Sequence, residues 1–198
     1  INKPESAGQY QSIESFMNGD PDGFWGIKLD KDKEWDKIYS ITFFSDSLHR
    51  NNDAEVMKLP ELPPNLKILV ILSLNVVELP PLPESLQILH CFSTNIKEIR
   101  NIPNGLIYLV LDGIDTIDID VFPENIRYLD LCADNINRLP PLPNSLEYFM
   151  LDSYKFNIEP PNGLIYLDLT NCQLPELPRS LEYLSYNGPT KILPRSIL

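Results

Sequence analysis

One phrase returns eight times in the second part of this chain: LPPNLKIL at 62–69, LPESLQIL at 82–89, IPNGLIYL at 102–109, FPENIRYL at 122–129, LPNSLEYF at 142–149, PPNGLIYL at 160–167, LPRSLEYL at 177–184 and a truncated LPRSIL at 193–198. Its prolines stand at 63, 83, 103, 123, 143, 161, 178 and 194, spaced by 20, 20, 20, 20, 18, 17 and 16 residues. A period of this size marks a stacked repeat, in which each unit buries its apolar face only against its neighbours.

Inside each phrase the apolar residues follow L-x-x-L-x-L: Leu66–Leu69–Ile71, Leu86–Leu89–Cys91, Leu106–Leu109–Leu111, Ile126–Leu129–Leu131, Leu146–Phe149–Leu151, Leu164–Leu167–Leu169 and Leu181–Leu184–Tyr186. The last part of that pattern alternates with period two, which predicts a short strand with one buried face. Stacked in register, such strands make a parallel sheet. The return to the next strand is too short for a long helix and is rich in proline, as in LPELPP and LPPLPES. Proline fixes φ near −65° and cannot donate to a ladder, so these returns are expected to be extended, polyproline-II-like rungs. Leu62, Leu82, Leu142 and Leu177 are expected to point inward from them.

The repeat also explains an odd composition. Of 19 prolines, 17 lie beyond residue 59, a bias that alone would indicate disorder, yet 28 of the 30 leucines lie from residue 59 onward, which is the opposite of a disordered composition. The predicted fold is a leucine-rich-repeat solenoid: short parallel β-strands on a concave face, extended convex rungs, and an N-terminal α-containing cap. Residues 1–58 form the expected cap and 59–198 an array of about seven full repeats and a truncated last one. Within the cap, residues 5–18 read as a short helix, Asp20–Gly23 and Asn51–Asp53 as turns, and Ile38, Ile41 and Phe43 as a degenerate first strand.

The strand residues between the buried ones form three columns. The first reads Ile68, Ile88, Tyr108, Tyr128, Tyr148, Tyr166 and Tyr183; the second Val70, His90, Val110, Asp130, Met150, Asp168 and Ser185; the third Leu72, Phe92, Asp112, Cys132, Asp152, Thr170 and Asn187. The expected concave face is thus aliphatic at its N-terminal end, ending in Phe92 and His90, and tyrosine flanked by Asp112, Asp130, Asp152 and Asp168 beyond it. Tyrosine is enriched at protein interfaces, and the aspartates favour Arg or Lys on a partner. The same tyrosines also satisfy a purely structural reading, since cross-strand aromatic pairs stabilise sheets.

A formal charge of −12 argues against nucleic acid and anionic membrane as partners. No apolar run is long enough for a membrane-spanning helix, and residues 1–37 hold no charged-then-apolar stretch of a Sec leader. Cys91, Cys132 and Cys172 form no C-x-x-C, which fits a reducing compartment. No HExxH, phosphate loop or dinucleotide fingerprint is present, so neither a metal nor a cofactor is expected, and no catalytic centre. His90 reads as a solvated histidine, with a proton-coupled contact to Asp112 or Asp130 as the other reading.

The phrase LPxLPxSLxxLxxxxN, matched best over 59–98, 119–153 and 174–186, resembles the leucine-rich repeats of bacterial effectors of the YopM and IpaH/SspH type. That resemblance implies a protein secreted by a bacterium into the host cell, with its concave face on a host protein. It also implies an alternative, the substrate-recognition half of an IpaH/SspH-like ubiquitin ligase whose catalytic domain lies outside this chain. Cys132-Ala-Asp134 matches the ligase C-x-D signature but falls inside a repeat. IPNGLIYL and PPNGLIYL are also similar to FNIP-type repeats, without the FN-Q phrase. Where the effector repeats place asparagine, eight residues after the first strand leucine, this chain has Leu74, Thr94, Ile114, Asp134, Tyr154 and Cys172; Asn75, Asn95 and Asn135 stand one position later.

Overall fold

A computed structural model describes residues 38–44, 56, 58–72, 75–153 and 157–189. The helix expected over 5–18, the turns at 20–23 and 51–53, Leu74, Tyr154 and the phrase at 193–198 lie outside the described residues.

The described chain is a parallel leucine-rich-repeat solenoid, and no helix occurs among its described residues. Its strands are β1 (Ser40–Phe44), β2 (Ile68–Leu72), β3 (Ile88–Phe92), β4 (Glu98–Ile99), β5 (Tyr108–Ile119), β6 (Tyr128–Arg138), β7 (Tyr148–Asp152), β8 (Tyr166–Thr170) and β9 (Tyr183–Asn187). They join one sheet in the order β1-β2-β3-β5-β6-β7-β8-β9, with β4 pairing β5. β1 belongs to the same sheet although it precedes the repeats, and it carries Ile41 into the core at 2% exposure.

The proline of each phrase has a defined task. Its carbonyl accepts the amide of the first core leucine three residues on, from Leu66 to Pro63 (3.1 Å) through Leu181 to Pro178 (3.2 Å). Proline lacks a donor but keeps its acceptor, so it suits the first position of a turn. The chain then enters the strand with two consecutive amides on one carbonyl of the preceding rung, as when Gln87 and Ile88 both donate to Lys67 O at 2.8 and 2.9 Å. Serine adds a second tie between rungs: Ser85, Ser145 and Ser180 donate Oγ to the carbonyls of Leu66, Ile126 and Leu164 at 2.6–2.8 Å. Pairing stays in register as the returns shorten, with Tyr128 opposite Tyr148, Tyr148 opposite Tyr166 and Tyr166 opposite Tyr183.

Leu69, Ile71, Leu89, Cys91, Leu109, Leu111, Leu129, Leu131, Phe149, Leu167 and Leu169 are sealed at 0% exposure, one L-x-L pair or its partner per rung. Leu62, Leu82, Leu142 and Leu177 close the core from the returns, half-buried. Packing weakens at the end of the array, where Leu181, Leu184 and Tyr186 are only partly buried.

The strands are not uniformly short. β5 and β6 run to 12 and 11 residues, past a bulge at Gly113 (φ 61°), and β4 adds to β5 through Glu98↔Asp118 and Ile99↔Ile119. The sheet thus turns the corner onto the flank of the middle rungs. The added ladder is held by Asp118 N, which reaches Lys97 O at 2.9 Å, and on β6 it runs up to Arg138 although Pro140-Pro141 follows.

The position of the expected asparagine is filled in several ways. Ile114 is core, at 1% exposure. Cys172 lies with Sγ 3.1 Å from Ser153 O and 3.3 Å from Thr170 O, so its thiol ties the loop as an amide would. Thr94 is sealed at 0% with no partner for Oγ1. The displaced asparagines build their own ladder, Asn95 Nδ2 donating to Asn75 Oδ1 at 2.8 Å.

Candidate functional site

Strand alternation turns the three columns away from the core, and the pairing register aligns every member: Ile88↔Tyr108↔Tyr128↔Tyr148↔Tyr166↔Tyr183 in the first, with the second and third columns in step beside it. All five tyrosines stack. Ring centroids are 4.1 Å apart for Tyr108–Tyr128, 6.1 Å for Tyr128–Tyr148, 6.0 Å for Tyr148–Tyr166 and 4.6 Å for Tyr166–Tyr183, with interplanar angles of 29° or less. Ring faces are therefore largely taken up by neighbouring rings, and a partner would meet ring edges. Tyr183, at the end of the stack, is 54% exposed.

The aliphatic end of this face differs from the expectation of an exposed surface. Ile68, Val70 and Ile88 are 6%, 1% and 0% exposed and form a second apolar cluster with Leu72 and Tyr108 against it; Val110 is 4% exposed. Phe92, at the strand end, remains 40% exposed. His90 is half-buried: its Nδ1 is sealed without a partner, and burial pushes its pKa down against the opposing pull of Asp112.

Asp112, Asp130, Asp152 and Asp168 fall on four successive rungs, β5 to β8, and all are half-buried. Burial, reinforced by Asp112 and Asp168, pushes the Asp130 carboxyl up to about 7. Asn171, which follows β8 in a left-handed turn (φ 63°), donates Nδ2 to Asp152 Oδ1 at 2.7 Å. That contact is legible only as an asparagine at a strand end, and the sequence patterns above did not single it out. Among the described residues the ion pairs are Arg100–Glu98 and Arg127–Glu147, and neither uses a carboxylate of this face.

Cys132 lies between Asp112 and Asp152 in the third column. Burial and Asp112 push its thiol up to about 11, the opposite of what a thiolate nucleophile needs. Cys91 is sealed in the core, where burial pushes it up to about 12. Among the described residues no group of three His, Cys, Asp or Glu side chains converges as a metal site, and no helix is long and apolar enough to cross a membrane.

The chain resembles YopM from Yersinia enterocolitica WA-314. The identity is 27% over 66% of this chain, with a TM-score of 0.49, and the match spans 35% of the YopM chain. No family model matches the sequence, and no curated protein matches it either.

Proposed function

We propose that this chain is a protein-binding module whose tyrosine and aspartate columns, Tyr108, Tyr128, Tyr148, Tyr166 and Tyr183 with Asp112, Asp130, Asp152 and Asp168, receive a basic protein surface. The carrying observation is the contrast along one face: the aliphatic rungs have withdrawn from solvent, whereas the rungs beyond them present half-buried carboxylates that no ion pair among the described residues neutralises. Stacked tyrosines supply a stiff apolar floor at small entropic cost, and the carboxylates supply attraction and orientation for cations. Phe92 and His90 border this floor at its aliphatic end. The activity is recognition, with no bond made or broken by this chain.

The repeat phrase shared with bacterial effectors makes a host protein the partner we favour, met after secretion into the host cell. The test is capture from host-cell lysate by the parent chain and by the Tyr128→Ala/Tyr148→Ala variant, each checked by circular dichroism. Loss of the captured band in the folded variant, with weakening at high salt in the parent, supports the assignment. Undiminished capture moves the site off this face.

A further inference from the structure

The four aspartates are spaced in a way that selects the shape of a partner as well as its charge. By register, Asp130 and Asp168 share the second column with Met150 between them, and Asp112 and Asp152 share the third with Cys132 between them. Each rung from β5 to β8 thus carries one carboxylate, alternately in one column and the other. Neighbouring strands lie about 4.8 Å apart, so within a column the carboxylates recur at about 9.6 Å.

Few backbone conformations return a side chain to the same side at that interval. A β-strand does so at about 6.7 Å. An α-helix does so at about 5.4 Å per turn, and two turns overshoot at about 10.8 Å. A polyproline-II segment rises about 3.1 Å per residue with three residues per turn, so every third side chain returns at about 9.3 Å. We propose, resting on the binding role above, that the contacting segment of the partner is an extended polyproline-II-like stretch with Arg or Lys at every third position, lying across the rungs along the Asp130–Asp168 column.

The surroundings suit such a segment. Met150, half-buried between the two carboxylates, offers a thioether surface to the uncharged residues between the basic ones. Asp112 and Asp152, staggered by one rung in the third column, add to the negative potential along the same path. The tyrosine stack runs parallel to the column, one alternation away along each strand, and walls the path on one side. Burial first, and then repulsion from Asp112 and Asp168, raises the Asp130 pKa, so a cation seated there relieves an unfavourable charge.

The test uses the whole chain and three synthetic peptides in an anisotropy titration at pH 8. Two have identical composition, three arginines and six prolines, with arginine at every third or at every second position; the third is an alanine-based helix with arginine at i and i+7. The every-third peptide should bind at least tenfold more tightly than the others. Asp130→Asn/Asp168→Asn should weaken it at least tenfold, while Asp118→Asn, an exposed carboxylate on the flank, leaves it unchanged. Equal affinity for all three peptides, or a preference for the every-second or the helical one, overturns the extended-partner proposal and leaves the basic-partner reading standing. Binding of the every-third peptide that ignores Asp130→Asn/Asp168→Asn also overturns the proposal. Absence of binding by all three peptides removes both.

Discussion

The two ends of one sheet face have taken opposite courses. On β2 and β3 the outward residues Ile68, Val70 and Ile88 are as buried as the core, while Leu72 and His90 are half-buried and Phe92 is exposed. From β5 to β9, beyond the buried Val110, the same columns carry tyrosine and aspartate that are half-buried or exposed. The backbone is alike in both regions, with matching register and the same turn at each repeat proline. Architecture therefore follows from the buried L-x-L pairs and the proline turns, while the outward columns are free to become core or surface. The proposed binding role rests on that second choice.

The largest effect expected from this contrast comes from placing a charge in one column at its two ends. Val70→Asp buries a carboxylate at a site 1% exposed and should cost more than about 3 kcal/mol in urea unfolding. Met150→Asp, half-buried in the same column between Asp130 and Asp168, should cost less, about 2 kcal/mol, by the same measurement. Equal costs would erase the distinction between the two regions.

Asp130→Asn sharpens the comparison through pH. The folded carboxyl sits at about 7, against about 3.9 when unfolded, so the stability it contributes is complete below about pH 4 and is lost as pH rises to 7. The variant should gain about 1–2 kcal/mol over the parent at pH 8, reduced from the full shift by partial exposure, and nothing at pH 4. Paired urea melts at the two pH values check this. A constant difference at both would show that Asp130 is an ordinary surface carboxylate.

Within the core, Thr94→Val removes a sealed hydroxyl that has no partner and keeps the shape of the side chain. A gain of about 1 kcal/mol in thermal or urea unfolding is expected. The smallest effect belongs to Arg127→Ala, which breaks an exposed ion pair with Glu147 and should change stability by less than about 0.5 kcal/mol.

Much of this was legible in the residues. The repeat prolines gave the turns, the L-x-x-L-x-L pattern gave strand positions and core, and the three outward columns align as the spacing predicts. Two features were harder. The long β5 and β6 carry no mark in the repeat phrase, because their added ladder depends on how close the flanking backbone runs, as where Asp118 N reaches Lys97 O. The burial of Ile68, Val70 and Ile88 was not readable, because period-two alternation places a residue on a face and is silent about what lies over that face. His90 is half-buried for the same reason: its neighbours in the column, Val70 and Val110, are themselves buried.

The division of this face into a buried aliphatic end and a tyrosine–aspartate end proposed to bind is tested most directly by amide and side-chain NMR of the labelled chain during titration with the arginine-at-every-third-position peptide. Shifts confined to Tyr128, Asp130, Tyr148, Met150, Tyr166 and Asp168, with Ile68, Val70 and Ile88 unmoved, are the predicted result. Shifts centred on the Ile68–Phe92 region, or on the proline turns, would contradict it.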